Sequence, residues 1–429
     1  MAVGRVILWL EPLYLALTTL AFFYPTPTRT NWLWLLWLLV PVVAARYVVH
    51  GRLLTRTPLN VWFAALLVLG VLNVYLAPYT RGLLLLARPV LGIATYLAMV
   101  ESARTSGRMR GPLQVIIMLG LLVGVLAIGS TQWNPKSAQL SVITGSLPDL
   151  QGFPGAEAGF NANEIAGGLS WLVPLMAGLA LYRWQQREPR WHVTLAFILM
   201  FAALLLGQSR SALIGVFIAL AFLIPLIIKR LPWRVLTYAA LLLAVGFQVW
   251  VSADFAASQA EIVETAQNQR FRTLPLQTHD ERNINVRLEI FGSALAIIRN
   301  HPLTGVGLSM FRDGRVRADY PVPMMEDRIL PHAHNEPLQM GSDMGIPGLV
   351  VFVGIYAAAG YMLLQSWRQG GAQTKAVSAS IAAGLLAHAI YGMADAVTLW
   401  DRLTFVYWLM LGLVGAQYML VVRRDQPSA

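Results

Sequence analysis

His334 is the residue on which chemistry most readily rests. It stands in the window Pro331-His332-Ala333-His334-Asn335-Glu336-Pro337-Leu338. Asn335 is a good helix N-cap, and Glu336 and Pro337 suit a first helical turn. The spacing therefore predicts a helix that starts just after His334. The positive end of a helix dipole disfavours imidazolium, and a neutral imidazole can act as a general base. The plainer alternative is a loop histidine that hydrogen-bonds a turn. His332 reads as a supporting or substrate-contacting neighbour.

Two arginines complete the pattern. Arg210 lies in Gly207-Gln208-Ser209-Arg210-Ser211, at the start of an apolar run, and Arg287 opens an amphipathic stretch. Each has a plain alternative, a snorkelling anchor for Arg210 and an ordinary interfacial cation for Arg287. Together with a histidine they suggest an anion site, because guanidinium binds phosphate oxygens bidentately and keeps its proton. Asn161 and Asn163 either cap a helix or contact a carbohydrate. Asp395, Asp401 and Arg402 lie in the last outer loop, where Asp401 and Arg402 read as screened loop charges. No Asp pair clustered with a His argues for a metal, so no metal and no cofactor is expected. Phosphate-loop and dinucleotide fingerprints are absent. With no cysteine, thiol nucleophiles, iron–sulfur clusters and disulfides are excluded.

These residues sit in a chain that is 57% hydrophobic and only 12% charged, against about 25% charged residues in soluble domains. The mean hydropathy is +0.58. A span needs about 20 mainly apolar residues. The sequence predicts an all-α integral membrane protein of about twelve transmembrane helices, near Val6–Tyr24, Trp32–Val49, Leu59–Ala77, Leu83–Val100, Leu113–Gly129, Glu164–Leu181, Val193–Leu206, Ser211–Ile228, Val235–Val251, Gly345–Leu364, Ala376–Ala394 and Leu403–Val422. One set of alternate linkers, with Arg5, holds seventeen of the 32 Lys and Arg residues. Short-loop cations stay cytoplasmic, so both termini are expected in the cytoplasm, which also accounts for the net charge of +11 without nucleic acid. The whole chain, 1–429, reads as one polytopic domain. A long polar loop, 252–343, falls on the outer side between helices nine and ten. Within it, apolar Val286, Ile290, Phe291, Ala294, Ile297 and Ile298 recur at helical spacing and predict an amphipathic helix near 285–299.

The window around His334 resembles the bacterial O-antigen ligase family. That family's hallmark is His followed by Asn, Ser or Gln, nine residues, Gly, two residues, then Gly, Thr or Tyr. Here His334-Asn335 is followed by Glu336 to Met344, then Gly345, Ile346-Pro347 and Gly348. Arg210 fits a second family feature, although Ile214 stands where Leu is usual. Arg287 followed by Pro302-Leu303-Thr304-Gly305-Val306-Gly307 fits a third. The resemblance implies a glycosyltransferase C-type-like membrane fold in the bacterial inner membrane, with its active site at the periplasmic face. It also implies transfer of O-antigen polysaccharide from undecaprenyl diphosphate to a sugar hydroxyl of lipid A–core oligosaccharide. The reaction would be inverting and metal-independent, with His334, Arg210 and Arg287 catalytic and Asn335, His332 and Asn163 touching substrate. The other partners are membrane lipids.

An O-antigen polymerase is the nearest rival. Polymerases tend to place Gly eleven positions after an outer-loop Arg, and no Arg in 252–343 has one. A protein O-oligosaccharyltransferase would usually carry more chain after its last span. A transporter would concentrate ionisable residues at mid-membrane, where the sequence offers mainly His388 and Glu11.

Overall fold

The computed structural model describes residues 3–4, 6, 37, 39–51, 55–80, 82–133, 138–152, 158–268, 279–325, 330–396 and 403–422, with backbone alone at 84, 138–139, 251–268 and 279–284. Fourteen α-helices run in chain order through these residues: α1 (Leu39–His50), α2 (Leu59–Leu76), α3 (Ala87–Ser106), α4 (Arg110–Ser130), α5 (Ala138–Gly145), α6 (Ala162–Gln186), α7 (Trp191–Gly207), α8 (Arg210–Ile227), α9 (Leu231–Asn268), α10 (His279–Asn300), α11 (Gly314–Asp319), α12 (Glu336–Gln369), α13 (Ala372–Tyr391) and α14 (Thr404–Val421). One two-residue parallel pairing, Thr131–Gln132 with Phe160–Asn161, joins the end of α4 to the start of α6.

From Leu59 onward a helix lies over each predicted apolar run. Seven of the described helices are long and apolar enough to cross a membrane: α2, α4, α6, α8, the first part of α9, α12 and α14. This is a multi-pass membrane protein. The predicted span Val6–Tyr24, with Glu11, lies almost wholly outside the described residues, as do Asp401 and Arg402.

Two helices extend beyond the apolar runs that mark them. Helix α9 runs to Asn268 rather than ending near Val251. The segment beyond Val251 is polar but rich in Ala, Glu and Gln, which favour helix without being apolar. Helix α12 begins at Glu336, where the Asn335 cap predicts it, nine residues before the apolar run that starts at Gly345. The polar region outside these helices is therefore shorter than 252–343.

Apolar burial between helices drives association little inside a bilayer, because lipid tails are as apolar as leucine; close packing over small residues does more. The bundle is built that way. Ser380 of α13 faces Gly178 of α6, and Ala387 of α13 faces Gly215 of α8. Trp171, Tyr96, Tyr391, Tyr407 and Trp408 fill the core as fully buried side chains. Gly167 of α6 meets Tyr391 at one end of α13, while Gly178 meets Ser380 further along. The two helices are thus antiparallel, and α6 and α8 both start at the end where α13 finishes.

Residues 286–333 make a second, smaller core. Ile290, Ala294 and Ile297 of α10 pack with Val306, Met310, Phe311, Val316, Val322, Leu330 and Ala333. Arg317 lies over the Phe311 ring at 4.0 Å and donates to Ser293 Oγ at 3.1 Å. The predicted amphipathic helix near 285–299 is the C-terminal part of α10, and its apolar face covers this cap.

Candidate active site

Helix α12 does not start as an ordinary span. Asn335 caps it, its Oδ1 accepting from Leu338 N–H at 2.9 Å while its Nδ2 donates to the Met393 carbonyl at 3.0 Å. One asparagine thus closes the helix start and ties it to the chain after α13. Glu336 N–H also donates to the Gly392 carbonyl at 2.7 Å. Just before the cap, His334 adopts φ 49°. A non-glycine residue there is uncommon, and such backbone clusters at functional sites.

That turn brings His334 to Asp395. Its Nδ1 lies 3.2 Å from Asp395 Oδ1. Burial alone would push the Asp395 carboxyl up. The hydrogen bond from His334, the charges of His332 and His334 and the Ala396 N–H outweigh it, and hold the carboxyl well below the usual carboxylate range. An ionised carboxylate only accepts, so His334 Nδ1 carries the proton and donates. Nε2 is left as the basic atom. The His334 side chain is 26% exposed while Asp395 is 7% exposed, so the histidine is reachable and its partner is not.

His332 shares the same carboxylate. Its Nδ1 accepts from the His334 backbone N–H at 3.3 Å, and its Nε2 lies 3.5 Å from Asp395 Oδ1. One donor atom from each of His332, His334 and Asp395 falls within 4.8 Å of the others, a set able to hold a metal ion. The sequence shows no such cluster because Asp395 is 61 residues from His334. Tetrahedral zinc bonds of about 2.0–2.1 Å place ligand atoms about 3.3 Å apart, close to the separations here. The distances alone thus suit a shared hydrogen-bonded carboxylate and a metal seat equally.

A second acid–histidine pair lies behind the first. His388 Nε2 is 2.9 Å from Glu336 Oε1. His388 Nδ1 is 2.8 Å from Ser170 Oγ and 3.1 Å from the Gly167 carbonyl, and the ring stacks on Trp171 at 3.4 Å. This pair is sealed, with His388 0% and Glu336 3% exposed. The sequence placed His388 with mid-membrane transport groups. The structure places it in the last turn of α13, joined to the start of α12.

The two glycines of the window have distinct jobs. Gly345 sits at φ 69°, ψ −168°, and kinks α12. A side chain there would meet the Pro302 carbonyl at 2.5 Å. The kink lets segment 302–307 dock along residues 342–346. Val306 N–H donates to the Ser342 carbonyl, Gly307 N–H to the Asp343 carbonyl and Ile346 N–H to the Pro302 carbonyl, at 2.8, 3.1 and 2.7 Å. Asn73 of α2 braces the joint, donating to the Thr304 and Asp343 carbonyls and accepting from Leu308 N–H. The Pro-x-x-Gly-x-Gly segment therefore fixes the helix that begins just after His334.

Residues 195–353 match the family model described as O-antigen ligase. Over that segment the chain is similar to the O-antigen ligase family. The match includes Arg210, Arg287 and the whole His334–Gly348 window. No curated protein matches the chain.

Within the matched segment, Arg210 is the exposed first residue of α8. The contact of Gly215 with Ala387 sets that helix start at the His334 end of the bundle. Arg287 is half-buried on α10, eleven residues before Ile298, which packs on Gly341 of α12. At 1.5 Å per residue it stands about 16 Å along α10 from that contact. Neither arginine is hydrogen-bonded to His334 in the way Asp395 is. Asn161 rather than Asn163 caps α6, its Oδ1 accepting from Asn163 N–H at 2.9 Å. Asn163 is exposed at the same end, and its carbonyl accepts from Tyr391 Oη at 3.0 Å. Sequence reasoning missed the roles of Asp395, Glu336 and His388. Sidedness was the one available signal, since Asp395 follows a helix that ends on the same side as His334.

Proposed function

We propose that the protein is an O-antigen ligase whose general base is His334, oriented by Asp395. The donor is polysaccharide on undecaprenyl diphosphate, and the acceptor is a sugar hydroxyl of lipid A–core oligosaccharide in the inner membrane, at the periplasmic face. The reading rests on one observation: the buried Asp395 carboxylate lies 3.2 Å from His334 Nδ1, while Nε2 bonds no described residue. Nε2 takes the proton of the acceptor hydroxyl as its oxygen bonds to the anomeric carbon. The bond from that carbon to the diphosphate oxygen breaks on the opposite side, so the configuration inverts. Asp395 stabilises the imidazolium, as the aspartate does in a Ser-His-Asp triad. Arg210 and Arg287 hold the departing diphosphate as preorganised positive charge, His332 and Asn163 bind sugar hydroxyls, and Asn335, buried and spent on the helix cap, positions His334 beside them.

A single displacement needs no carboxylate nucleophile. The test is ligation by purified protein with lipid-linked polysaccharide and lipid A–core. His334→Ala should slow turnover by about 10²–10⁴-fold in protein that stays folded; near-wild-type turnover would overturn the base assignment.

The convergence of His332, His334 and Asp395 favours one other reading, a divalent metal bound by the three. It predicts loss of ligation on chelation and recovery with metal. The general-base reading predicts no effect of chelator.

A further inference from the structure

We propose that the end of the bundle remote from His334 holds an anionic phospholipid between α6, α7, α8 and α9. A cavity of about 420 Å³ lies there among the described residues, within the roughly 300–1,000 Å³ typical of ligand pockets. Its walls come from the distal half of α6 (Ala177 to Trp184), the start of α7 (Arg190 to Phe201), the end of α8 (Leu220 to Ile224) and the start of α9 (Thr237 to Ala244). The cavity runs from the end of α6 and the start of α7 down to about the level at which Gly178 meets Leu223 and Ser380, away from the Gly167–Tyr391 contact that marks the His334 end.

The polarity of the lining is graded along α7. Arg190 stands at the mouth, Thr194 one turn deeper, and Phe197 and Phe201 below it. Eleven residues of helix from Arg190 to Phe201 span about 16 Å, close to half of a hydrocarbon core of about 30 Å. A cation, then a hydroxyl, then an aromatic wall one leaflet deep is the order in which a phospholipid presents phosphate, glycerol and acyl chain. Trp184 lines the cavity and meets Trp233 edge to face at 4.6 Å, the kind of aromatic pair found at a membrane–water interface.

The charge at the mouth chooses the headgroup. Arg190 lines the cavity, and the α6–α7 and α8–α9 linkers at this end also carry Arg183, Arg187, Lys229, Arg230 and Arg234, with Glu188 the one acidic residue in them. Arg234 is occupied with the Ile228 and Pro225 carbonyls, and Arg183 with the Pro189 carbonyl and His192. Arg187, Lys229 and Arg230 are exposed, and Arg190 is half-exposed beside the cavity. Basic pockets between membrane helices recognise anionic lipid headgroups. Helix α9 forms the outer wall, and only 6% of its span is buried, so lipid can enter sideways from the bilayer.

This site rests on the helix bundle and not on the proposed transfer reaction. The test is native mass spectrometry of the full-length, delipidated protein titrated with phosphatidylglycerol, phosphatidylethanolamine and undecaprenyl phosphate. Wild-type protein should retain phosphatidylglycerol in preference to the other two. Arg190→Gln should weaken that retention about fivefold. Ala240→Phe should fill the cavity and abolish retention at an unchanged lipid-free thermal midpoint, with Ala180→Leu as the equivalent change on the opposite wall if the first variant does not fold. His334→Ala should retain lipid as wild type does, separating this site from the catalytic one. Equal retention of the two phospholipids, retention untouched by the filling variants, or preference for the polyprenyl phosphate would overturn the proposal.

Discussion

The protein builds the same chemical pair twice, a few residues apart, in opposite environments. Asp395 and His334 meet at 3.2 Å with the histidine 26% exposed; Glu336 and His388 meet at 2.9 Å with the histidine fully buried. The pairs interlock, since residues 334 and 336 flank Asn335 while 388 and 395 flank the Gly392–Met393 turn to which Asn335 and Glu336 bond. Every polar atom of the His388 ring is engaged, by Glu336, Ser170 and the Gly167 carbonyl, and Trp171 covers its face. It has no route to a substrate proton. In the outer pair, His334 Nε2 bonds no partner among the described residues. Burial therefore separates a pair that fastens helices from a pair equipped to move a proton.

Substitutions can break this contrast in order of size. His334→Ala should cost about 10²–10⁴-fold in ligation rate at an unchanged thermal midpoint. His388→Ala should do the reverse. Leaving Glu336 without its buried partner should cost about 3–5 kcal/mol of stability, seen as a lowered unfolding midpoint, while the folded fraction ligates within a few-fold of wild type. Asp395→Asn should slow ligation by roughly 10²-fold or more by disturbing the His334 tautomer. Gly345→Ala should cost about 1–3 kcal/mol of stability through the left-handed backbone, with further loss from the clash with the Pro302 carbonyl.

The smallest effect is a pH dependence. The Asp395 carboxyl is held below the ordinary carboxylate range, so the folded state binds its proton less readily than the unfolded state. Its contribution to stability is then complete above about pH 4 and is lost as pH falls below that. The gap in thermal midpoint between wild type and Asp395→Asn should be constant from pH 8 to about pH 5 and narrow below about pH 4. Narrowing between pH 5 and 7 would place the ionisation elsewhere.

Much of this arrangement is legible in the sequence. Apolar runs mark the helices because hydropathy and span length are one-dimensional. The Asn335 cap is a local rule, and the Gly345 and Gly348 spacing marks where a helix must bend and pack closely. The end of α9 lies past its apolar run because polar helix looks like loop when spans are read by hydropathy; the start of α12 is legible only through its Asn335 cap. The pairings of His334 with Asp395 and Glu336 with His388 could not be read. Each joins positions more than fifty residues apart, and nothing local in Asp395 distinguishes a buried acceptor from a solvated loop charge. The small core that holds Ala333 between the two histidines is likewise a product of tertiary packing.

A double-mutant cycle in the purified ligation assay bears most directly on His334 acting as a base oriented by Asp395. Groups that act as one unit are strongly non-additive. With His334 already replaced by Ala, Asp395→Asn should cause little further loss, so that the double variant ligates at about the rate of His334→Ala alone. If the two losses multiply instead, Asp395 does not work through His334, and the pair is not the catalytic unit.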